Sequence, residues 1–144
     1  MQSTTELAER LLLACSVLTR SATAAAPATA LSLTQARTLG TLHRQGPTRV
    51  SRLAELERCS QPSMTGLVTR CADAGLLERT ADPDDARAVL VRLTPAGERA
   101  LTEDRARLAH PVVQALADLP AHEREGLEHA LAVVERVSAA LATS

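Results

Sequence analysis

The chain contains no phenylalanine, tyrosine or tryptophan. It therefore offers no platform for stacking single-stranded bases, no aromatic cage for a cation and no phenolic general acid. Lysine is absent as well: all sixteen basic residues are arginine, which excludes Schiff-base chemistry and a phosphate-loop lysine. Three cysteines, Cys15, Cys59 and Cys71, form neither an even disulfide framework nor a CxxC pair, so a reducing, cytoplasmic setting is expected. The N-terminal stretch carries Glu6 and Glu9, and its longest apolar run, Leu11 to Cys15, is too short for a membrane span or a signal core. No nucleophile, base and orienter set and no glycine-rich phosphate cradle is visible, so neither an enzyme nor a cofactor is expected.

What is present is ordinary for a folded domain: 144 residues, 45% hydrophobic and 23% charged, which points to one compact domain over residues 1–144 and excludes a disordered chain. The core must come from leucine, valine and alanine, whose small volumes suit close-packed helices. The net charge of −1 announces no polyanionic partner, but its distribution is uneven. Residues 44–99 hold nine arginines and eight acids, whereas residues 100–144 hold four and seven.

Leu7, Leu11, Ala14 and Leu18 repeat at helical steps, followed over 21–30 by an Ala/Thr/Pro run that reads as a connection or, through its alanines, as an extension of the helix. Ala36, Leu39 and Leu42 mark a second helix with Ser32 and Thr34 as candidate caps, stopped by Gly46-Pro47. Val50, Leu53, Ala54 and Leu56 predict a short third helix ending near Arg58-Cys59. A fourth starts at Ser60-Gln61-Pro62, buries Met64, Leu67, Val68 and Cys71, and ends at Gly75, where a left-handed residue is needed. Two short helices joined by a tight turn, the second with a polar outer face, have the shape of a helix-turn-helix.

After Gly75 the period changes to two. Leu76 to Thr80 and the Val89, Val91, Leu93 alternation predict a hairpin with a long polar tip over 81–87, the position of a wing. Thr94-Pro95 opens a long helix with Leu101, Leu108, Val112 and Leu116, in which Pro111 predicts a kink. The last helix starts after Asp118-Leu119-Pro120 and carries Leu127, Ala130, Leu131, Val134, Val137 and Leu141, a stripe longer than one small domain needs. The first and last two helices therefore read as material for an interface between two chains.

Leu53-Ala54, Ser63 with Thr65, Gly75-Leu76-Leu77-Glu78-Arg79, Asp82-Pro83-Asp84-Asp85-Ala86-Arg87 and Leu93-Thr94-Pro95-Ala96-Gly97 together resemble the MarR family of winged-helix transcription regulators over residues 48–101. The resemblance implies a mainly α fold with a β-hairpin wing, a winged helix-turn-helix over 32–99 and dimerisation helices over 1–30 and 100–144. It also implies a homodimer on a pseudo-palindromic operator in double-stranded DNA, usually a repressor relieved by a small molecule or an oxidant. Gly66 departs from the family, which commonly carries arginine there, while Arg70 lies one turn further on.

On that reading Ser60, Gln61, Ser63, Thr65 and Gly66 reach bases or phosphates, with Gln61 suited to adenine. Arg87 at the wing tip suits a narrow, negative minor groove, with Asp85 holding it in position. Arg49, Arg52, Arg70 and Arg79 are candidate phosphate contacts. Leu11, Leu39, Leu42, His43 and Leu108 are candidates for lining an effector pocket. Cys15 lies about where the family's peroxide sensors carry their reactive thiol, which defines an alternative redox-sensing regulator; yet the tyrosines that stabilise such a thiolate are missing, and burial at a dimer-facing position is the simpler reading. Cys59 and Cys71 read as packing residues. His122, Glu125 and His129 fall at three- and four-residue steps on the last helix, and His43 and His110 are candidates to meet where the second and fifth helices pack, the residue types that zinc-responsive members of the family use, but no convergent ligand set is legible and no metal is expected. A second alternative is a winged-helix protein-docking dimer that no longer reads DNA.

Overall fold

The computed structural model describes residues 3–28 and 30–142. It is mainly helical with one small antiparallel sheet: α1 (Thr4–Ala25), α2 (Leu33–Gln45), β1 (Thr48–Arg49), α3 (Val50–Leu56), α4 (Gln61–Asp73), β2 (Leu77–Asp82), β3 (Asp85–Leu93), α5 (Pro95–Ala117) and α6 (Ala121–Ala142). The chain divides into two compact units, residues 26–108 and residues 1–25 with 109–144.

Residues 26–108 form the winged helix-turn-helix. Ser32 rather than Thr34 caps α2, in a reciprocal box: its hydroxyl accepts from the Gln35 amide at 3.3 Å, and the Gln35 side chain accepts from the Ser32 amide at 2.8 Å. The α3–α4 turn passes through Arg58, the one non-glycine described residue with positive φ, at 52°. Glu57 beside it accepts from the Thr41 hydroxyl at 2.6 Å and pairs with Arg37 at 3.1 Å, which fastens the turn to α2.

Gly75 ends α4 at φ 74°, with its own amide bonded to the Ala72 carbonyl and the Leu76 amide to the Cys71 carbonyl, both at 2.9 Å. That pair of bonds is a Schellman closure, and only glycine takes the left-handed position without strain. Thr94 then caps α5: its hydroxyl accepts from the Gly97 amide at 3.0 Å and donates to the Gly75 carbonyl at 2.6 Å. The cap therefore also ties the start of α5 to the end of α4.

The wing differs from its expected outline. β2 and β3 pair from Leu77↔Leu93 to Asp82↔Asp85, leaving only Pro83-Asp84 as the tip, with a slip in register between Ala81 and Asp82. The polar run over 81–87 is thus mostly strand, because Asp82 closes the turn with its own side chain, accepting from the Asp84 amide at 2.9 Å. A third strand, β1, pairs with the far side of β3 through Thr48↔Val91 and Arg49↔Leu90, giving the order β1-β3-β2.

The core of this unit comprises Leu31, Leu39, Leu42, Leu53, Ala54, Met64, Leu67, Val68, Cys71, Leu77, Val91 and Leu101. Leu101 and Asp104, on the first half of α5, are both 3% exposed, so the start of that helix packs with this unit. Arg107 lies 4.0 Å from Asp104 and donates to the Ala28 carbonyl at 2.6 Å, holding the segment before α2.

In the second unit α1 and α6 bury no residue. α1 continues through Ala25, so the alanines after Ser21 extend the helix. α5 continues past Pro111 to Ala117. An apolar cavity of about 390 Å³ lies among Leu18, Ala22, Pro111, Val112, Leu116 and Leu127. No described helix is long and apolar enough to cross a membrane.

Candidate nucleic-acid interface

The Ser60 hydroxyl accepts from the Ser63 amide at 3.3 Å and Pro62 occupies the first turn of α4, so the helix starts where its sequence directs. Met64, Leu67, Val68 and Cys71 then face the core, which turns Gln61, Ser63, Thr65 and Arg70 to solvent. Thr65 and Thr69 donate to the carbonyls of Gln61 and Thr65, both at 2.9 Å, which leaves the Thr65 oxygen available to accept. A methyl group at Gly66 would meet only the Arg70 guanidinium, at 3.5 Å.

Between α3, the start of α4 and the wing lies a cleft of about 370 Å³ bordered by Arg49, Ser51, Gln61, Thr65, Arg87 and Val89. It brings together four of the expected residues, Arg49, Gln61, Thr65 and Arg87. Ser60, Ser63, Gly66, Arg70, Arg79, Asp85 and Arg52 do not border it. Ser51 does and was not anticipated, since a serine in the first turn of a helix carries no signal of its own.

The arginines are not equivalent. Arg52 pairs with Glu55 at 2.9 Å along α3. Arg79 donates to the Thr69 hydroxyl at 2.6 Å, joining β2 to α4. Arg49 binds one oxygen of Asp82 through both Nε and Nη2, each at 2.6 Å. Of the five candidate arginines only Arg87 and Arg70 have guanidinium groups with no hydrogen bond or ion pair to another described residue. Asp85 does not hold the Arg87 guanidinium: its carboxylate accepts from the Arg87 backbone amide at 3.0 Å, shaping the strand instead.

Asp82 was not among the expected site residues, though it lies in the turn-forming Asp-Pro-Asp run. The Asp84 amide holds its carboxyl below the usual carboxylate range, against the opposing effect of burial, with Arg49 adding to the lowering. A group depressed in this way stabilises the fold above its ordinary titration range, and the contribution is lost as pH falls through the lowered value. The Asp82 contacts are therefore fully charged at neutral pH.

The other polar candidates are scattered. Burial pushes the Cys71 thiol up, as suits a packing residue. Cys59 is exposed, a correction to its expected packing role, because the turn after Arg58 carries it out of the core. Cys15 is exposed in the single chain. His43 pairs with Glu98 at 2.9 Å and His129 donates to the Glu125 carbonyl at 2.7 Å. Among the described residues no three His, Cys, Asp or Glu side chains converge as metal ligands. Leu39 and Leu42 are core residues, and neither they nor Leu11, His43 or Leu108 border the apolar cavity between α1, α5 and α6.

Comparison with known proteins agrees with this architecture. The MarR family model matches residues 31–89, from just before α2 into β3. An HTH-type transcriptional regulator of Mycobacterium bovis is 33% identical over 130 residues, covering 90% of this chain and 91% of the relative. Among solved structures, a transcriptional regulator of Thermotoga maritima superposes with a TM-score of 0.76 at 22% identity, covering 98% of this chain and 99% of that one. MarR of E. coli in its apo form gives 0.65 at 21% identity, covering 93% and 98%. With the reading head matched by the family's own model and a regulator matched over nine-tenths of both chains, this chain belongs to the MarR family of winged-helix transcriptional regulators.

Proposed function

We propose that the chain is a non-enzymatic, sequence-specific repressor that reads a pseudo-palindromic operator as a homodimer and releases it when a small-molecule effector binds. The observation that carries the DNA-reading step is the cleft shared by the exposed start of α4 and a wing arginine whose guanidinium has no hydrogen-bond or ion-pair partner among the described residues. A guanidinium left unpaired beside polar Gln61 and Thr65 is suited to a polyanion, since neighbouring carboxylates have not already neutralised it. α4 enters the major groove by its N-terminal turn and Arg87 enters the adjoining minor groove. In the dimer the two recognition helices meet successive major grooves ~34–36 Å apart.

Two features support the remaining steps. The unburied apolar faces of α1 and α6 are the chemistry of an interface between copies. The aliphatic cavity beside α1, α5 and α6 has the size of a small apolar effector. An effector bound there acts by favouring dimers whose reading heads no longer match the operator spacing.

The test is fluorescence anisotropy with the DNA upstream of the protein's own gene against an unrelated duplex, with salt varied in both. Tight, salt-dependent binding to the first is the expected result, weakened about 5- to 150-fold in Arg87→Ala. Equal, weak binding of the parent to every duplex, including sites selected from random DNA, would remove the DNA-reading function and favour a protein-docking dimer.

A further inference from the structure

Arg49 stands where β1 ends and α3 begins, and its backbone pairs with Leu90 of the wing. It occupies the N-cap position of α3 but makes no side-chain capping bond. Its guanidinium reaches across to Asp82, 33 positions away, with Nε and Nη2 both 2.6 Å from Oδ2. Asp82 is 6% exposed, and its other oxygen takes the Asp84 amide at 2.9 Å, at the point where the β2–β3 ladder slips. One carboxylate thus fixes both the wing turn and the joint between the sheet and the helix-turn-helix. Earlier on the same strand Arg79 is bonded to Thr69 of α4, so β2 is fastened to the rest of the unit at two points, by Arg79 to α4 and by Asp82 to Arg49, and Arg49 also borders the Arg87 cleft.

We propose that Arg49 and Asp82 are positioning residues for operator reading, a latch that sets the wing so that Arg87 faces Gln61 and Thr65, and that Arg49 is not itself a phosphate contact. The inference rests on the DNA-reading function proposed above. A guanidinium that already donates Nε to a buried carboxylate and is ion-paired to it through Nη2 would have to break that pair to grip a phosphate, leaving the carboxylate buried and unpaired. A wing held in place before binding gives up less conformational freedom when DNA arrives.

The two roles predict opposite effects of removing Asp82's charge. If Arg49 is a phosphate contact, Asp82→Asn removes a negative charge beside DNA and frees the arginine, so affinity rises. If the pair is a latch, affinity falls. Asp82→Asn keeps an acceptor for the Asp84 amide, and Arg49→Met keeps the side-chain stem, so both variants retain the local packing. The measurements are operator affinity at several salt concentrations and amide hydrogen exchange of the wing in the absence of DNA.

Each variant is expected to bind roughly three- to thirtyfold more weakly, with the double variant no weaker than the weaker single one. The salt slope is expected to stay at the parent's value, because no phosphate neutralisation is lost. Wing amides from Arg87 to Val89 are expected to exchange at least roughly threefold faster in both variants. Unchanged or tighter binding of Asp82→Asn would overturn the latch, as would a drop in the salt slope of about 0.9 in Arg49→Met. A parent that binds no duplex would defeat the DNA-reading function, and unchanged wing exchange in the same proteins would separately defeat the latch.

Discussion

Replacing both Leu131 and Val137 by glutamate is expected to yield a folded monomer whose affinity for the operator is lower by roughly 100- to 10,000-fold. The size of the effect follows from the arithmetic of linked sites: in the proposed homodimer, once one reading head is bound the second binds at the high effective concentration set by the dimer, and that gain disappears with the interface. The choice of residues follows from burial. Among the described residues, eleven of the thirteen exposed large hydrophobics, Leu7, Leu12, Leu131, Val137 and Leu141 among them, lie in the unit formed by residues 1–25 and 109–144. Covering one leucine is worth about 1.5–3 kcal/mol, so a face of this size is a strong drive to associate. Leu131 is 51% exposed in the single chain, and glutamate is a good helix former, so the substitutions cost α6 little before association. In a two-fold interface each change occurs twice, which sets four charges in an apolar contact. Light scattering that still gives a dimer, together with parental operator affinity, would remove α6 from the interface.

The features legible in the sequence are those decided by neighbouring residues. Ser60 and Pro62 announce the start of α4, and Gly75 announces its end, because caps and left-handed closures depend on a few consecutive side chains. The alternation of Val89, Val91 and Leu93 was enough for β3. The two-residue β1 has no period to detect and exists only because β3 offers it an edge. The wing turn was placed too widely because the aspartates and proline of 82–85 mark a turn without saying how tightly Asp82's own side chain would close it.

The site was less legible than the fold for a related reason. Residue type identifies Arg49, Arg52, Arg70, Arg79 and Arg87 alike as cations, and pairing in the fold separates them: Asp82, Glu55 and Thr69 engage Arg49, Arg52 and Arg79, while Arg70 and Arg87 keep their guanidinium groups free among the described residues. Likewise, helical spacing told that Leu39 and Leu42 face something apolar, but it did not distinguish a protein core from a ligand pocket. The core has them.

Gly97→Ala is expected to destabilise the reading head although it places a better helix former inside α5. At an open helical position the exchange of glycine for alanine gains up to about 1 kcal/mol. At Gly97 the added Cβ would stand 2.1 Å from the Leu76 carbonyl oxygen, 3.1 Å from its carbon and 3.0 Å from a Leu93 methyl. The first two atoms are backbone, held by the Thr94 amide on the Leu76 carbonyl at 3.1 Å and by the Thr94 hydroxyl on the Gly75 carbonyl at 2.6 Å. They cannot turn aside as a flexible side chain would, so α5 must move away from the α4 closure and strain or lose those bonds. Overpacking of this kind typically costs about 1–3 kcal/mol, more than the propensity gain at its upper end. The expected fall in melting temperature is about 4–8 °C per kcal/mol of net loss for a unit of this size. Gly126 on α6 supplies the control, since a Cβ there meets nothing within 4 Å. Gly126→Ala is therefore expected to hold or raise the melting temperature while Gly97→Ala lowers it. A Gly97→Ala protein that melts at or above the parent temperature would mean that α5 can slide off Leu76 at no cost, and the close approach of that helix to the wing's first strand would not be what fixes the glycine.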